Sequence, residues 1–231
     1  MTLNKFYSSL QKFSTLKKAP LRENHELRYC YINASDFGSE IKVIIGRINK
    51  ELKKLGKIEK ITFSLLKENK EDKSAIKLAI KIIKLIVELR LDIKDFFIHT
   101  RIFLDILCRI IKIQYGKKGE QLPQSMTALL KSKEVLKIDE KFFKELRNKM
   151  IWYNDFVEKG RDRIVHKLGN LVFTNTKEGK LGFDIPNHFT LSWGTQTVKP
   201  IEDYIENTIK NLSEMVDYLI ANLKLDAQQP K

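Results

Sequence analysis

The side chains with the clearest chemical potential lie together in one short segment, Gly160-Arg161-Asp162-Arg163-Ile164-Val165-His166. The segment brings two guanidinium groups, a carboxylate and an imidazole close together in the chain. A histidine whose pKa is about 6.5 exchanges a proton near neutral pH, and arginine presents a fixed fork of donors to phosphate oxygens. These residue types favour acid–base chemistry beside a phosphate group.

The spacing decides which of these groups can act together. Asp162 and His166 are four residues apart, so on a helix they share a face and the carboxylate can orient the ring. Arg161 and His166 are five apart, about 140° around an ideal helix, and do not naturally face one point. Either Gly160 lets Arg161 leave helical geometry, or the site combines residues from two chains.

The elements that must position this segment are mainly helical. Ser35 or Asp36 is the predicted cap of a helix that ends near Gly56, and no Gly or Pro follows until Gly116. The pattern over residues 75–113 fits one long helix, or two with a break near residues 90–96. Further helices are predicted from Ser125 to Leu130, from Asp139 to Phe156, from Arg161 to Lys167 and from Pro200 to Leu223.

A different pattern covers residues 170–199. Two apolar runs flank Lys177-Glu178-Gly179, which predicts a β-hairpin. The predicted fold class is therefore mainly α, a helical bundle with a small β-hairpin insertion before the C-terminal helix. Residues 71–231 would form this bundle, and residues 1–70 an N-terminal arm and a first helix packed on the core. Within the arm, residues 29–32 would form a strand or pack on the core.

The order of Arg161, Asp162 and His166 resembles the R-φ-x-x-x-H signature of HEPN domains (higher eukaryote and prokaryote nucleotide-binding). The setting is similar too, because those domains are small helical bundles that carry the signature late in the core. The resemblance covers residues 75–169 and the last helix. Arg147 begins a similar run, but Trp152 stands where the histidine is required.

The resemblance implies a metal-independent endoribonuclease that acts in defence, as a toxin or in RNA processing. RNA carries its own nucleophile, the 2′-hydroxyl, so neither a metal nor a cofactor is expected. Arg161, Asp162 and His166 would be catalytic, and Arg163 and Lys167 would contact RNA. The resemblance also implies a homodimer that brings two signatures to one cleft, and an antitoxin or regulatory protein is a further expected partner.

The alternatives are a non-catalytic HEPN-like module that binds RNA or a protein, and a helical structural protein without a nucleic-acid role. The overall charge bears on this choice. Lys and Arg number 43 against 29 Asp and Glu, a net charge of +14, and residues 201–231 are net acidic. Such an excess favours a polyanionic partner, although a lysine-rich composition with solvated helix faces also accounts for it.

Several other classes of protein find no support in the sequence. It contains no P-loop, no G-x-G-x-x-G, no H-E-x-x-H and no G-x-S-x-G motif. No apolar run predicts a membrane span or a signal peptide, and two cysteines make no disulfide framework, so a cytoplasmic setting is expected. Cys108 is predicted to be a core residue. His99, Arg101 and Asp105 are predicted to lie on the long helix, either approaching the cleft or, as the favoured alternative, on a solvated face.

Overall fold

The computed structural model describes residues 5–6, 8–9, 11–12, 25–67, 73–154, 172–175, 181–184 and 199–223. Over these residues the chain is mainly helical, which confirms the fold class at that level. The α-helices are α1 (His25–Lys67), α2 (Lys73–Gln114), α3 (Met126–Lys131), α4 (Val135–Ile138), α5 (Glu140–Lys149), α6 (Ile151–Asn154) and α7 (Ile201–Asn222). A 3-10 helix, Gly116–Gln121, joins α2 to the segment before α3.

Two long antiparallel helices, α1 and α2, form the frame of the molecule. Arg47 on α1 contacts Asp92 on α2, and Glu40 contacts His99 further along, which fixes the antiparallel register. Helix α2 is continuous, so it has no break near residues 90–96.

Helix α1 differs from its prediction at both ends. It begins at His25, ten residues before the predicted cap, and continues past Gly56 to Lys67. A strand over residues 29–32 is therefore wrong, because this segment is helical and buries Tyr31 in the core. Packing against α2 outweighs the weak helix propensity of glycine, which lowers helix stability by only about 1 kcal/mol per residue.

The shorter helices pack around the C-terminal half of α2, and α3 and α5 begin where the sequence predicts. The helix predicted from Asp139 to Phe156 is instead interrupted at Met150, which separates α5 from α6. The Ser125 hydroxyl accepts a hydrogen bond from the Ala128 N–H, and the Asp139 carboxylate accepts one from the Phe142 N–H. Both are helix N-caps, so the predicted starts of these two helices are confirmed. Helix α7 follows Pro200 and buries its predicted apolar stripe, which comprises Ile201, Ile205, Leu212, Met215, Leu219 and Leu223.

An aromatic cluster ties α2, α5 and α7 together. Phe142 and Phe143 pack edge to face, with ring centroids 5.0 Å apart, and Tyr115 stacks on Phe143. The Tyr115 hydroxyl donates to Asp139 at 2.9 Å, and the Tyr218 hydroxyl donates to the Phe142 carbonyl at 3.0 Å. Burial, followed by the nearby acidic side chains, raises the pKa of both tyrosines, that of Tyr218 to about 12. The aromatic residues of this cluster are therefore part of the core.

Three short strands precede α7 in the chain. They are β1 (Val172–Asn175), β2 (Leu181–Asp184) and β3 (Lys199–Pro200), and they form an antiparallel sheet in the order β1-β2-β3. In the register, Phe173 is opposite Phe183, and Phe183 is also opposite Lys199. The strands fall in the region where the sequence predicts a β insertion, and the loops between them lie outside the described residues.

Candidate nucleic-acid interface

The five residues predicted to form the catalytic and phosphate-binding site are Arg161, Asp162, Arg163, His166 and Lys167. All of them lie outside the residues that the structure describes. The described chain before them ends with α6, which contacts α2 and α3.

The ring of Tyr153 on α6 is buried in a polar network that joins three helices. Its hydroxyl lies 2.9 Å from the Thr127 hydroxyl on α3, which in turn accepts a hydrogen bond from Arg101 on α2 at 2.5 Å. The Arg101 guanidinium carbon lies 5.6 Å from the centre of the Tyr153 ring, within the range of a cation–π contact. This network anchors α6, the last described element before the predicted signature.

The Arg101 side chain is only 13% exposed, so a solvated-face role for it is wrong. Its Nε lies 3.0 Å from the Asp105 carboxylate, and that carboxylate also accepts a hydrogen bond from the Met126 N–H at 2.9 Å. Arg101 and Asp105 thus form an ion pair that holds the start of α3 against α2, and they are not free surface charges. The hydrophobic pattern of α2 does not show which side of the helix the short helices cover. It therefore could not predict that Arg101 and Asp105 lie beneath them.

His99 also has described partners. Its Nε2 lies 3.2 Å from the Glu40 carboxylate, its Nδ1 lies 2.8 Å from the Asp95 carbonyl oxygen, and its ring packs 5.8 Å from that of Phe37. The imidazole therefore links α1 to α2 and is only partly solvated. Arg147, the residue that begins the incomplete signature, donates instead to the Ser132 carbonyl oxygen and holds the turn between α3 and α4.

A basic surface lies on the outer side of α1. It lines a shallow groove of about 360 Å³, and we call it the lysine face: Gly46, Asn49, Lys50, Lys53, Lys54 and Lys57. These residues recur every three or four positions, which places them on one side of the helix, directly away from α2. The four ammonium groups are carried on about 10 Å of helix, at 1.5 Å per residue.

The lysine face contains no exposed carboxylate. Between residues 42 and 57 the only acidic residue is Glu51, and its side chain turns inward and is only 8% exposed. Within the described part of the chain, Lys50, Lys53 and Lys57 form no ion pair, whereas the neighbouring Arg47 is bound to Asp92 at 2.6 Å. The face is therefore a local excess of positive charge that no ion pair among the described residues neutralises at Lys50, Lys53 or Lys57.

Beneath this face, two carboxyl groups are buried between α1 and α2. Burial, and then the nearby Asp92 carboxylate, raises the pKa of Glu51 to about 7. Burial also raises the pKa of Asp92, but the Arg47 guanidinium opposes this shift. Because Arg47 contacts Asp92 directly, we assign the proton near neutral pH to Glu51, whose Oε2 has no hydrogen-bond partner in the structure.

The remaining chemically active residues are structural where the chain is described. Cys108 is fully buried, as predicted, and its burial raises the pKa of the thiol to about 12. Cys30 is buried as well, and burial also raises its pKa. Among the described residues, no group of three His, Cys, Asp or Glu side chains is placed to hold a metal ion. No helix within them combines the length and apolarity needed to cross a membrane.

Sequence reasoning missed the lysine face as a site. The signal was present, since lysines recur at helical spacing over residues 50–57 while carboxylates are almost absent, but that pattern is also typical of an ordinary solvated helix. Comparison with known proteins adds no assignment: no family model, no curated protein and no solved structure matches the chain.

Proposed function

We propose that this protein binds RNA through the lysine face of α1, within a HEPN-like helical bundle that carries a β-hairpin insertion. The observation that carries the proposal is the set of four neighbouring lysines on one helix side without an exposed carboxylate among them. The net charge of +14 supports it, because a basic protein attracts polyanions over distances longer than a direct contact.

The chemistry of the face favours a phosphate backbone over individual bases. Lysine is a compact point charge on a flexible stem, and it lacks the planar fork with which arginine reads a base edge. The buried aromatic residues of the described core offer no platform on which bases could stack. Binding at this face should therefore depend strongly on salt and weakly on sequence.

The test compares two quadruple variants of equal charge. Lys50, Lys53, Lys54 and Lys57 are changed to Gln in one variant, and the exposed Lys117, Lys118, Lys131 and Lys133 of the short-helix region are changed to Gln in the other. Affinity for a single-stranded RNA is measured over a range of salt concentrations. The slope of log affinity against log salt should fall by about 3 in the first variant, since each phosphate contact contributes about 0.7.

The control variant should keep a slope close to that of the wild-type protein. Equal losses in the two variants would show that total charge rather than the lysine face drives binding, and the proposal would then be wrong. A duplex DNA of equal charge should be tested in parallel. Tighter binding to the duplex would contradict the choice of RNA.

A second candidate function is cleavage of the bound RNA, which the resemblance of the segment from Arg161 to His166 to the HEPN signature supports. In such a reaction the 2′-hydroxyl attacks the adjacent phosphorus and the bond to the 5′-oxygen breaks, which leaves a 2′,3′-cyclic phosphate and a free 5′-hydroxyl. His166 would transfer a proton, an effect worth about 10²–10⁴-fold in rate, and Arg161 would oppose the charge that builds up on phosphate.

Cleavage is tested with mixed RNA in EDTA. The wild-type protein and a His25→Ala variant, which changes an exposed histidine at the start of α1, should cut RNA equally. His166→Ala should lose at least about 100-fold in rate. If RNA binds through the lysine face but is never cut, the protein is a non-catalytic binding module.

A further inference from the structure

An exposed apolar stripe runs along α2 on the side opposite the buried Leu85 and Leu89, which pack toward α1. It comprises Ile76, Ile80, Ile83, Val87 and Leu91, and the exposed fraction of each residue is between 47% and 65%. Successive members are four, three, four and four residues apart, so they form one continuous face. From this face we infer that α2 docks against α2 of a second copy of this chain.

The area of the stripe reaches the lower bound for a specific dimer. Each of the five side chains leaves roughly 100 Å² of apolar surface in water, so two copies would bury up to about 1,000 Å². The flanking Ala79 and the aliphatic stems of Lys77 and Lys81 add to this figure. Large aliphatic residues aligned in this way are rare on a surface that stays in contact with water.

The order of residues along the stripe fits an antiparallel pairing about a two-fold axis. If the axis passes near Ile83, then Ile76 lies opposite Leu91 of the second copy, and Ile80 lies opposite Val87. A two-fold axis requires such self-complementarity, because the same surface is used by both copies.

The charges that flank the stripe also fit this arrangement. Lys77 and Glu88 lie toward opposite ends of the stripe on the same flank, and Lys81 and Lys84 lie between them. A parallel pairing would keep Lys77 and Glu88 about 16 Å apart along the helix axis, at 1.5 Å per residue. The antiparallel pairing places Lys77 near Glu88 of the second copy, which favours that direction, whereas Lys84 lies near its own equivalent at the axis and opposes it. The stripe contains neither Arg161 nor His166, and the proposed pairing does not depend on the proposed RNA binding.

The first experiment measures self-association of the full chain by sedimentation equilibrium. Ile80 and Ile83 are changed to Glu, and the control changes Val43 and Ile151 to Glu at equally exposed positions away from the stripe. The wild-type protein and the control should be dimers. The stripe variant should keep its circular dichroism spectrum but associate at least about 100-fold more weakly, because the dimer would bury carboxylates. A monomeric wild-type protein, or equal behaviour of the two variants, would overturn the inference.

The second experiment tests the direction of pairing. Lys77→Glu and Glu88→Lys should each weaken the dimer several-fold, and the double variant should restore much of the loss, since the charges are then exchanged across the axis. Loss without restoration would overturn the antiparallel arrangement.

A membrane surface is the competing occupant of the stripe. Anionic phospholipid vesicles should bind the stripe variant and the control variant, which have the same net charge, equally and through their basic charge alone. Vesicle binding that requires Ile80 and Ile83, in a protein that does not self-associate, would replace the second copy with a lipid surface. The quadruple glutamine variant of the lysine face should remain a dimer, so failure of one proposal leaves the other testable.

Discussion

The molecule has two regions that are built from the same long helices but are stabilised differently. In the first region, which we call the body, the C-terminal half of α2 is surrounded by α1, the short helices and α7. Its core is continuous from Phe6 to Leu223. In the second region, the projection, residues 50–67 of α1 and 73–88 of α2 extend past this core. Within the described residues, the two helices pack extensively only on each other there.

The contrast shows that helical periodicity alone does not determine what a helix face meets. In the body, apolar stripes such as that of α7 are covered by neighbouring helices. In the projection, the apolar stripe of α2 is equally continuous but is exposed to solvent, and α1 carries the lysine face. The body therefore contains most of the buried core, and the projection carries two exposed surfaces of opposite character.

The largest effect on stability is expected when one buried leucine in each region is changed to alanine. Leu146 is fully buried in the body core, so Leu146→Ala should lower the free energy of unfolding by about 3–5 kcal/mol. Leu85 is also buried, but it lies outside the body core cluster, between two helices only, so Leu85→Ala should lower it by only about 2 kcal/mol, the lower end of the range. Urea denaturation followed by circular dichroism measures both, and equal losses would show that the projection is as tightly packed as the body.

A smaller effect is expected at the cap of α5. Asp139→Ala removes the cap of α5 and the acceptor of the Tyr115 hydroxyl, so it should destabilise the protein by about 2–3 kcal/mol. Ser125→Ala removes a more exposed cap with a longer hydrogen bond and should cost about 0.5–1 kcal/mol. Thermal unfolding would rank the two variants, and the reverse order would contradict the role of the Tyr115 contact.

The contribution of Glu51 to stability, at the junction between body and projection, should depend on pH. The pKa of Glu51 is raised to about 7 in the folded protein from its usual value of 4.5, so its contribution to stability is lost as pH rises through that interval. Glu51→Gln should remove this loss and be more stable than wild type by about 1–2 kcal/mol near pH 8, with little gain near pH 4. Paired urea titrations at the two pH values measure it, and a gain independent of pH would show that Glu51 does not bind the proton.

The smallest effect is expected within the projection itself. A Cβ at Gly56 would meet no atom within 4 Å, so Gly56→Ala should stabilise α1 by about 0.5–1 kcal/mol. In the body, a Cβ at Gly119 would overlap the backbone of Lys112, so Gly119→Ala should destabilise the protein. Calorimetry on both variants would check the opposite signs, and destabilisation by Gly56→Ala would reveal an unrecognised contact at that position.

Much of the body was predictable from local signals. The starts of α3 after Ser125, of α5 after Asp139 and of α7 after Pro200, and the burial of Cys108, were all predicted from the sequence and are confirmed. These features depend on residues a few positions apart, or on one strongly amphipathic stripe. Such interactions depend little on contacts with distant parts of the chain.

The features that sequence reasoning could not predict depend on contacts between distant segments. The early start of α1 depends on the packing of Tyr31 in the core, and Arg101 is held by Thr127 and Tyr153, which follow it by 26 and 52 residues. The candidate catalytic residues remain a prediction, because Arg161 and His166 lie outside the described residues.

The lysine face and the apolar stripe lie on opposite sides of the projection. This arrangement determines how many RNA-binding surfaces the proposed dimer would have. Neighbouring helices pack about 8–10 Å apart, so a stack of α1, α2 and their two counterparts would place the outer helix axes roughly 30 Å from each other. One lysine face would then lie at each outer side of the stack. A single short oligonucleotide would occupy only one of them, whereas a longer strand would bridge both and gain avidity without any additional contact.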